Sequence, residues 1–499
     1  MKRVSIDHAE GRSRPIAPDG AAPEREAQPR GAHDRGRRPI DHAEAAERFL
    51  AAPDHLSFHD KRLWDLREKR DREARGIPEW EELRTLASAI KEHALTHLDT
   101  LLETFETNAI ANGVTVHWAT DAAEHNRIVA DIMRANGATR LVKSKSMLTE
   151  ECGLRPHLEQ AGIAVIETDL GERIQQLDNE DPSHVVVPAV HKLRSDVAAV
   201  FARTIGTDPD NDDPAYLAES QRENNRPLIL EAIVGMTGAN FLVADSGAVV
   251  VCTNEGNADL CASVPRVHIV SAGIEKIIPR TQDLGVFIRL LSRSALGSPI
   301  TQYTSHFRGP RAGGEMHVIL VDNGRSERLG AEEFWTSLKC IRCGACMNTC
   351  PVYRRSGGLS YGATYAGPIG LIIDPSFNRR KYSMLPFAST LNGSCTAVCP
   401  VKINIHEQIL SWRKVMAEHH EPSMTKQLSM KGAALLLARP VAYRAAVTVA
   451  NAVLPHMPHV ALYNRANAWG KGRDVPMPPG QSFHAWYRSR RGKPGDEPA

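Results

Sequence analysis

Along residues 40–107 apolar side chains recur at three- and four-residue intervals, as in AEAAERFLAA and ELRTLASAIKEHALTHLDTLLETF, with acidic and basic residues between them. That period collects the apolar positions on one face of a helix, so the segment is expected to be a helical lead-in with solvated outer faces. Residues 1–39 are rich in Arg, Pro, Gly, Ala and acids and show no such period. They bury too little apolar surface to offset their ordering entropy, and a disordered arm is expected there.

Near Val114 the rhythm changes to short β-rich runs alternating with helix-length segments. The strands expected are VTVHWA (Val114 to Ala119), RLVKS (Arg140 to Ser144), IAVIET (Ile163 to Thr168) and HVVVP (His184 to Pro188), then FLVAD, AVVVCT, RVHIVSA and MHVILVD. Helical stretches between them include DAAEHNRIVADIMRANG and TEECGLRPHLEQAG, the second with Thr149 as N-cap. Strand alternating with helix indicates βαβ units, hence an α/β domain over 108–329 with a mainly parallel sheet covered on both faces.

After Gly330 cysteine, glycine and proline replace the sheet rhythm, marking a second domain over 330–415. A helical extension and tail should occupy 416–499. Its most apolar stretch, Ala433 to Leu454, is interrupted by Arg439, Pro440 and Arg444, which are costly in lipid. It reads as packed or interfacial helix rather than a transmembrane segment, with peripheral membrane contact as the other reading. The terminal FHAWYRSRRGK reads as a solvated end or a partner contact.

A length of 499 residues calls for more than one domain. With 61 Lys and Arg against 59 Asp and Glu, the net charge of +2 provides no field for a nucleic-acid partner, and no recognition module appears. A nucleic-acid-binding regulator is disfavoured accordingly. The N-terminus lacks the apolar core of a signal peptide, so a cytoplasmic protein is expected.

The chemistry is concentrated in the cysteines. CIRCGACMNTCP sets Cys340, Cys343, Cys346 and Cys350 in the C-x2-C-x2-C-x3-C-P spacing of bacterial-type ferredoxins, and NGSCTAVCP adds Cys395 and Cys399. Soft thiolates hold iron, and in such motifs the fourth cysteine serves the other cluster. By that rule Cys340, Cys343, Cys346 and Cys399 complete one [4Fe-4S] cluster. A second would use Cys350 and Cys395, but its other positions hold Ser389 and Asn392. It should be absent, labile or held by unusual ligands.

Paired C-x2-C arms would suit zinc, which the triple spacing does not, and nothing indicates the secretion a disulfide framework needs. Cys152, Cys252 and Cys261 have no mutual metal spacing and read as buried small apolar residues. There is no G-x-G-x-x-G after a strand and no Walker A, and Leu410 stands where H-E-x-x-H needs its second histidine.

Two polar runs are candidate binding segments. GMTGANFLVADSGAVVVCTNEGN carries Asn240, Asp245, Ser246, Asn254, Glu255 and Asn257 near strand ends, where α/β sheets place ligands, although Asn and Gly also simply make turns. KSKSMLTEE, from Lys143 to Glu151, follows a strand and opens a helix, an arrangement for an anion or merely for capping.

These residues together resemble the lactate-utilisation iron-sulfur proteins of the LutB type, also called the LldF type, from about Ile40 to the C-terminus. The resemblance is carried by VKSKSMLTEE, ETDLGERIQQL, PSHVVVPAVHK, GANFLVADSGAVVVCTNEGN, the cysteine motifs and PVKINIHEQI. It implies a lactate-utilisation (LUD) domain with a sheet like that of the NagB, ribose-phosphate isomerase (RpiA) and CoA-transferase folds, followed by an α-helical ferredoxin-like domain. It also implies a part in oxidising L-lactate to pyruvate with LutA-type and LutC-type companions and an electron acceptor the sequence does not identify. Such proteins commonly carry a cysteine where this chain has Asn392.

Two functions are therefore expected to compete. One is electron relay between protein partners through a [4Fe-4S] cluster. The other is a self-contained enzyme that binds a carboxylate or CoA-like ligand in the α/β domain and uses the cluster structurally.

Overall fold

The computed structural model describes residues 39–421, 424–463 and 478–491. The arm expected to be disordered falls, through residue 38, outside them. Packing separates a compact unit ending at Glu421 from a second beginning at Pro422.

The periodic lead-in forms four helices, α1 His42–Leu50, α2 Pro53–Arg75, α3 Trp80–Thr96 and α4 Leu98–Ala111. Asp41 starts α1 by accepting from Ala43 N and Glu44 N, two donors with no partner inside the helix. Pro53 opens α2 at a position where a missing N–H costs nothing.

Among the described residues ten strands follow: β1 Thr115–Ala119, β2 Arg140–Lys143, β3 Ala164–Glu167, β4 Val234–Gly238, β5 Phe241–Val243, β6 Ala248–Thr253, β7 Val267–Gly273, β8 Ile277–Ile278, β9 Tyr303–Phe307 and β10 Glu315–Val321. Six are parallel, in the order β1-β10-β7-β4-β2-β3. The others form a smaller sheet, β8-β5-β6-β9, built on the antiparallel β5–β6 hairpin.

Alternate residues of the central strands enter different cores, as the pleat requires. Val267, Ile269, Ile319 and Val321 pack with Val129, Met133 and Leu158 of the helices on one face. Val270, Ala272, Val318 and Leu320 pack with Leu102 and Phe105 of α4 and with Leu242 and Val249 of the small sheet on the other. Both faces are thus covered, which is why these strands read as continuous apolar runs.

Several expectations are corrected. HVVVP is not a strand: His184 Nδ1 accepts from Val186 N and Val187 N, and Ser183 N donates to Pro188 O, so the segment curls on itself. The TEECGLRPHLEQAG helix is two helices, Met147–Glu151 capped by Ser146 rather than Thr149, and Leu154–Gln160, broken at Gly153 with φ 64°. The central strand β4 and the edge strands β8 and β9 were not anticipated. VGMTG lacks strand-forming residues at its glycines because the helix Asn257–Ser263 lies directly on Gly235.

No break in packing occurs at 330. One apolar core joins Leu63 of α2, Leu83 of α3 and Phe287 of the helix Leu284–Leu296 to Phe334, Tyr353, Ile372 and Trp412. The second unit contains the helices Met424–Leu437 and Pro440–Val453, with no buried side chain in either. Among the described residues no single helix is long and apolar enough to cross a membrane; the pair formed by Met424–Leu437 and Pro440–His456 would suffice together but is bent by 106°.

A Cβ on Gly235 would lie 1.9 Å from the carbonyl oxygen of Cys261. Gly235→Ala should therefore cost about 1–3 kcal/mol, read as a lower urea midpoint. A midpoint equal to wild type would show that the overlying helix shifts freely.

Candidate iron-sulfur centre and the adjoining cavity

The backbone around the cysteines is written twice. After the 3-10 turn Trp335–Lys339 delivers Cys340, the chain turns through Arg342 at φ 60° and Gly344 at φ 74° into the helix Ala345–Thr349, which carries Cys346. Cys350 ends it at φ −74°, ψ 118°. The second run turns through Leu391 at φ 56° and Gly393 at φ 77° into the helix Ser394–Val398, which carries Cys395, and Cys399 ends it at φ −64°, ψ 119°. Matched on these turns, Cys340, Cys343, Cys346 and Cys350 correspond to Ser389, Asn392, Cys395 and Cys399.

The side-chain bonding repeats as well. Arg342 N donates to Cys340 Sγ at 3.4 Å, and Leu391 N donates to Ser389 Oγ at 3.1 Å. Ala345 N donates to the Cys343 sulfur, and Ser394 N to Asn392 Oδ1 at 3.0 Å. Cys350 Sγ accepts from Tyr353 N at 3.5 Å, and Cys399 Sγ from Ile403 N at 3.4 Å. Ser389 and Asn392 therefore occupy ligand positions with oxygen in place of sulfur.

Cys340, Cys343, Cys346 and Cys399 face one cavity walled by Val185, Ile369, Val401, Ile403 and Ile405. Cys350 and Cys395 lie outside it, near enough to each other to interact electrostatically. Among the described residues no three His, Cys, Asp or Glu side chains converge closely enough for one metal ion. Burial pushes the Cys399 and Cys395 thiols up to about 11 and Cys346 well above its usual range. Such thiols ionise at neutral pH only if a cationic centre offsets the desolvation. Four sulfurs around one apolar-walled space, with peptide N–H groups directed at them, fit a [4Fe-4S] cluster.

The lead-in helices brace this cradle. Arg70 Nη2 donates to Val398 O at 3.1 Å, and Arg84 Nη2 to Ala397 O and Cys399 O, each at 2.8 Å. Both cations thereby satisfy the last carbonyls of the Cys395 helix. Gly344 packs so closely that a Cβ would lie 2.9 Å from His184, whose Nε2 is 3.1 Å from Asn348 Oδ1.

Beside the cradle, the carboxyl ends of β2, β4 and β7 open into a cavity of about 310 Å³. From β2 the sheet continues to β3 on one side and β4 on the other, so the cavity sits at a topological switch point. Val185 and Arg342 line both this cavity and the cysteine cavity. Behind them runs a buried ionic network. Arg325 Nη1 donates to Glu151 Oε1 at 2.9 Å and Arg325 Nε to Glu275 Oε2 at 2.5 Å. Tyr365 Oη donates to Glu151 Oε2 at 2.6 Å, Arg342 Nη2 is 3.6 Å from Glu275 Oε1, and the Arg342 guanidinium lies over the Tyr365 ring.

Of the candidate polar residues, Asn240, Asn254, Glu255 and Asn257 line this cavity. Asp245 and Ser246 do not. They form the turn between β5 and β6, where Asp245 accepts from Thr281 N at 2.9 Å and Ser246 O from Asn112 Nδ2 at 2.9 Å. In KSKSMLTEE, Lys143 is enclosed by Glu167 at 2.9 Å, Glu150 at 3.3 Å and Glu172 at 3.8 Å, whereas Ser144, Lys145, Ser146, Met147 and Leu148 line the cavity. Burial opposes the Lys143 ammonium, but these carboxylates more than restore it, while burial drives Glu167 and Glu172 upward. Cys152 and Cys261 are buried, and Cys252 is half-buried at the cavity wall.

Sequence reasoning missed Lys276, Arg325 and Tyr365, single residues without a spacing signal. Arg342 stood between two motif cysteines and could have been noticed.

Residues 102–328 match the LUD domain, 336–403 the 4Fe-4S dicluster domain and 411–492 the C-terminal region of lactate utilisation protein B. The chain is 41% identical over 425 residues to lactate utilization protein B of Shouchella clausii (strain KSM-K16), covering 83% of this chain and 89% of that one. The same figures hold for lactate utilization protein B of Geobacillus thermodenitrificans (strain NG80-2). It is 40% identical over 424 residues to the uncharacterized electron transport protein YkgF of Escherichia coli (strain K12), again over 83% and 89%.

Arg325→Met leaves Glu151 and Glu275 buried without their cation and should cost about 3–5 kcal/mol in urea unfolding. Burial opposes Glu275 ionisation, yet Arg325, Lys276 and Arg342 hold its pKa down to about 2 from 4.5. That contribution is complete above 4.5 and is lost as pH falls toward 2, so the variant's stability should vary less with pH across this window. An acid limb as steep as wild type would assign the acid sensitivity to other carboxylates.

Proposed function

The chain belongs to the lactate utilisation protein B family, and from that premise we propose that it is an iron-sulfur electron-transfer component of a system oxidising L-lactate to pyruvate. The observation that carries the proposal is the set of four thiols, Cys340, Cys343, Cys346 and Cys399, around one apolar-walled cavity. These four would ligate a [4Fe-4S] cluster, which supplies one-electron redox chemistry.

The chain's own residues tune and protect that chemistry. N–H donation from Arg342 and Ile403 withdraws charge from the Cys340 and Cys399 sulfurs, which favours the reduced state. Ile369, Val401, Ile403 and Ile405 keep water from the sulfurs. At the second site the two thiols, Cys350 and Cys395, are joined by the weaker donors Ser389 and Asn392, so we assign one robust cluster to this chain.

Lactate gives up two electrons and a single cluster passes one at a time, so a further redox centre is needed, in this chain or a partner, and the two-thiol second site here favours a partner. We assign that role to LutA-type and LutC-type companions. None of the nine cysteines is paired in a disulfide, which suits a reducing compartment, and we read the protein as cytoplasmic. The six-stranded parallel sheet with its ligand-sized crevice supports reading the α/β part as a relative of the NagB, ribose-phosphate isomerase (RpiA) and CoA-transferase folds.

The test is iron and sulfide counting with low-temperature EPR on anaerobically purified protein. Wild type should hold about four irons, Cys340→Ser should lose them, Cys350→Ser should keep them, and Asn392→Cys should raise the count. Absence of iron from wild type would sink the electron-transfer reading. Turnover of lactate with an artificial acceptor by the chain alone, without companions, would favour the self-contained enzyme.

A further inference from the structure

Three buried polar atoms at the switch-point cavity have no hydrogen-bond partner: Arg342 Nη1, Asn257 Oδ1 and Ser292 Oγ. Buried donors and acceptors are almost always satisfied, and three exceptions on the walls of one cavity are what a bound ligand or ordered water would satisfy. Lys276 also lines the cavity; it helps hold Glu275 ionised but shares that carboxylate with Arg325 and Arg342. Two cations thus lack a full anionic partner, while an amide oxygen lacks a donor.

That combination specifies a ligand. Acceptor oxygens bearing negative charge would satisfy Arg342 and Lys276, and a hydroxyl would donate to Asn257 Oδ1. A volume of about 310 Å³ lies at the small end of ligand cavities, which suits a small acid rather than a nucleotide-sized CoA. We infer that the cavity at the carboxyl ends of β2, β4 and β7 binds a small 2-hydroxycarboxylate, held by Lys276 and Arg342 and selected over its 2-oxo counterpart by Asn257. The inference deepens the proposed role in lactate oxidation and rests on that reading for the identity of the acid. Since Arg342 lies between Cys340 and Cys343, the bound acid would adjoin the loop that holds the cluster.

The experiment is calorimetric titration of the full-length, anaerobically purified protein with L-lactate, pyruvate and inorganic phosphate. L-lactate should saturate one site per chain. Lys276→Gln should weaken it at least about tenfold with iron and sulfide content unchanged. Asn257→Leu, on another wall of the cavity, should weaken lactate but leave pyruvate within about twofold, since pyruvate has no hydroxyl to donate. The Asn257 variant decides the matter should Lys276→Gln fail to fold.

No saturable lactate binding at millimolar concentration overturns the inference. So does lactate affinity unchanged in both variants, or phosphate binding more tightly than lactate with the same dependence on Lys276. A chain that binds lactate as described but holds no iron overturns the electron-transfer reading alone. An iron-replete chain that does not bind lactate does the reverse.

Discussion

A guanidinium buried between two carboxylates determines where the cysteine loop lies against the sheet. Arg325 follows β10, Glu151 follows β2 by way of a short helix, and Glu275 follows β7, so one cation gathers the carboxyl ends of three strands. The remaining oxygens reach the cysteine region, Glu151 to Tyr365 and Glu275 to Arg342. Buried ion pairs add little net stability relative to apolar packing, but breaking one leaves a charge stranded. The network therefore selects one relative position of sheet and loop out of many with similar apolar burial.

The repeated cysteine backbone shows one turn geometry carrying two different sets of acceptors. Positive φ at Leu391 costs an L-residue energy that Gly393 beside it does not incur, yet the turn is kept. The reason is local: Leu391 N has Ser389 Oγ and Ser394 N has Asn392 Oδ1, so each donor that would face a ligand sulfur is still satisfied. Oxygen can replace sulfur as an acceptor of N–H groups far more readily than as a ligand for iron. The duplicate thus keeps its turns with oxygen acceptors in place of two sulfurs.

The placement of the cavity follows from sheet topology and its polarity from the cysteine region. A parallel sheet covered on both faces leaves only its strand ends for ligands, and the switch beside β2 opens the crevice there. The PSHVVVP segment, curled around the His184 ring, closes one side and contributes Val185 as the partition from the cysteine cavity. Tyr353 Oη holds that segment by donating to Ser183 O at 2.7 Å. The partition is thus built from both halves of the chain.

The lead-in helices, seven of the eight expected strands and the cysteine spacing were legible because each depends on residues close in sequence: a helical period, a pleat, a turn between ligands. The strand β4 was not, since its glycines are explained only by the helix lying on Gly235, and HVVVP read as a strand because nothing local reveals a histidine ring capturing two amides. Asn240, Asn254, Glu255 and Asn257 could be nominated as polar residues near strand ends, but the same signal nominated Asp245 and Ser246, which merely close a turn. Sequence by itself determined the donor chemistry and its spacing, because ligation within one motif is a local property. Only the tertiary structure decided that Lys276, Arg325, Arg342 and Tyr365 meet beside those donors, because charges far apart in the chain become neighbours only when burial in a shared core makes leaving them unpaired too costly.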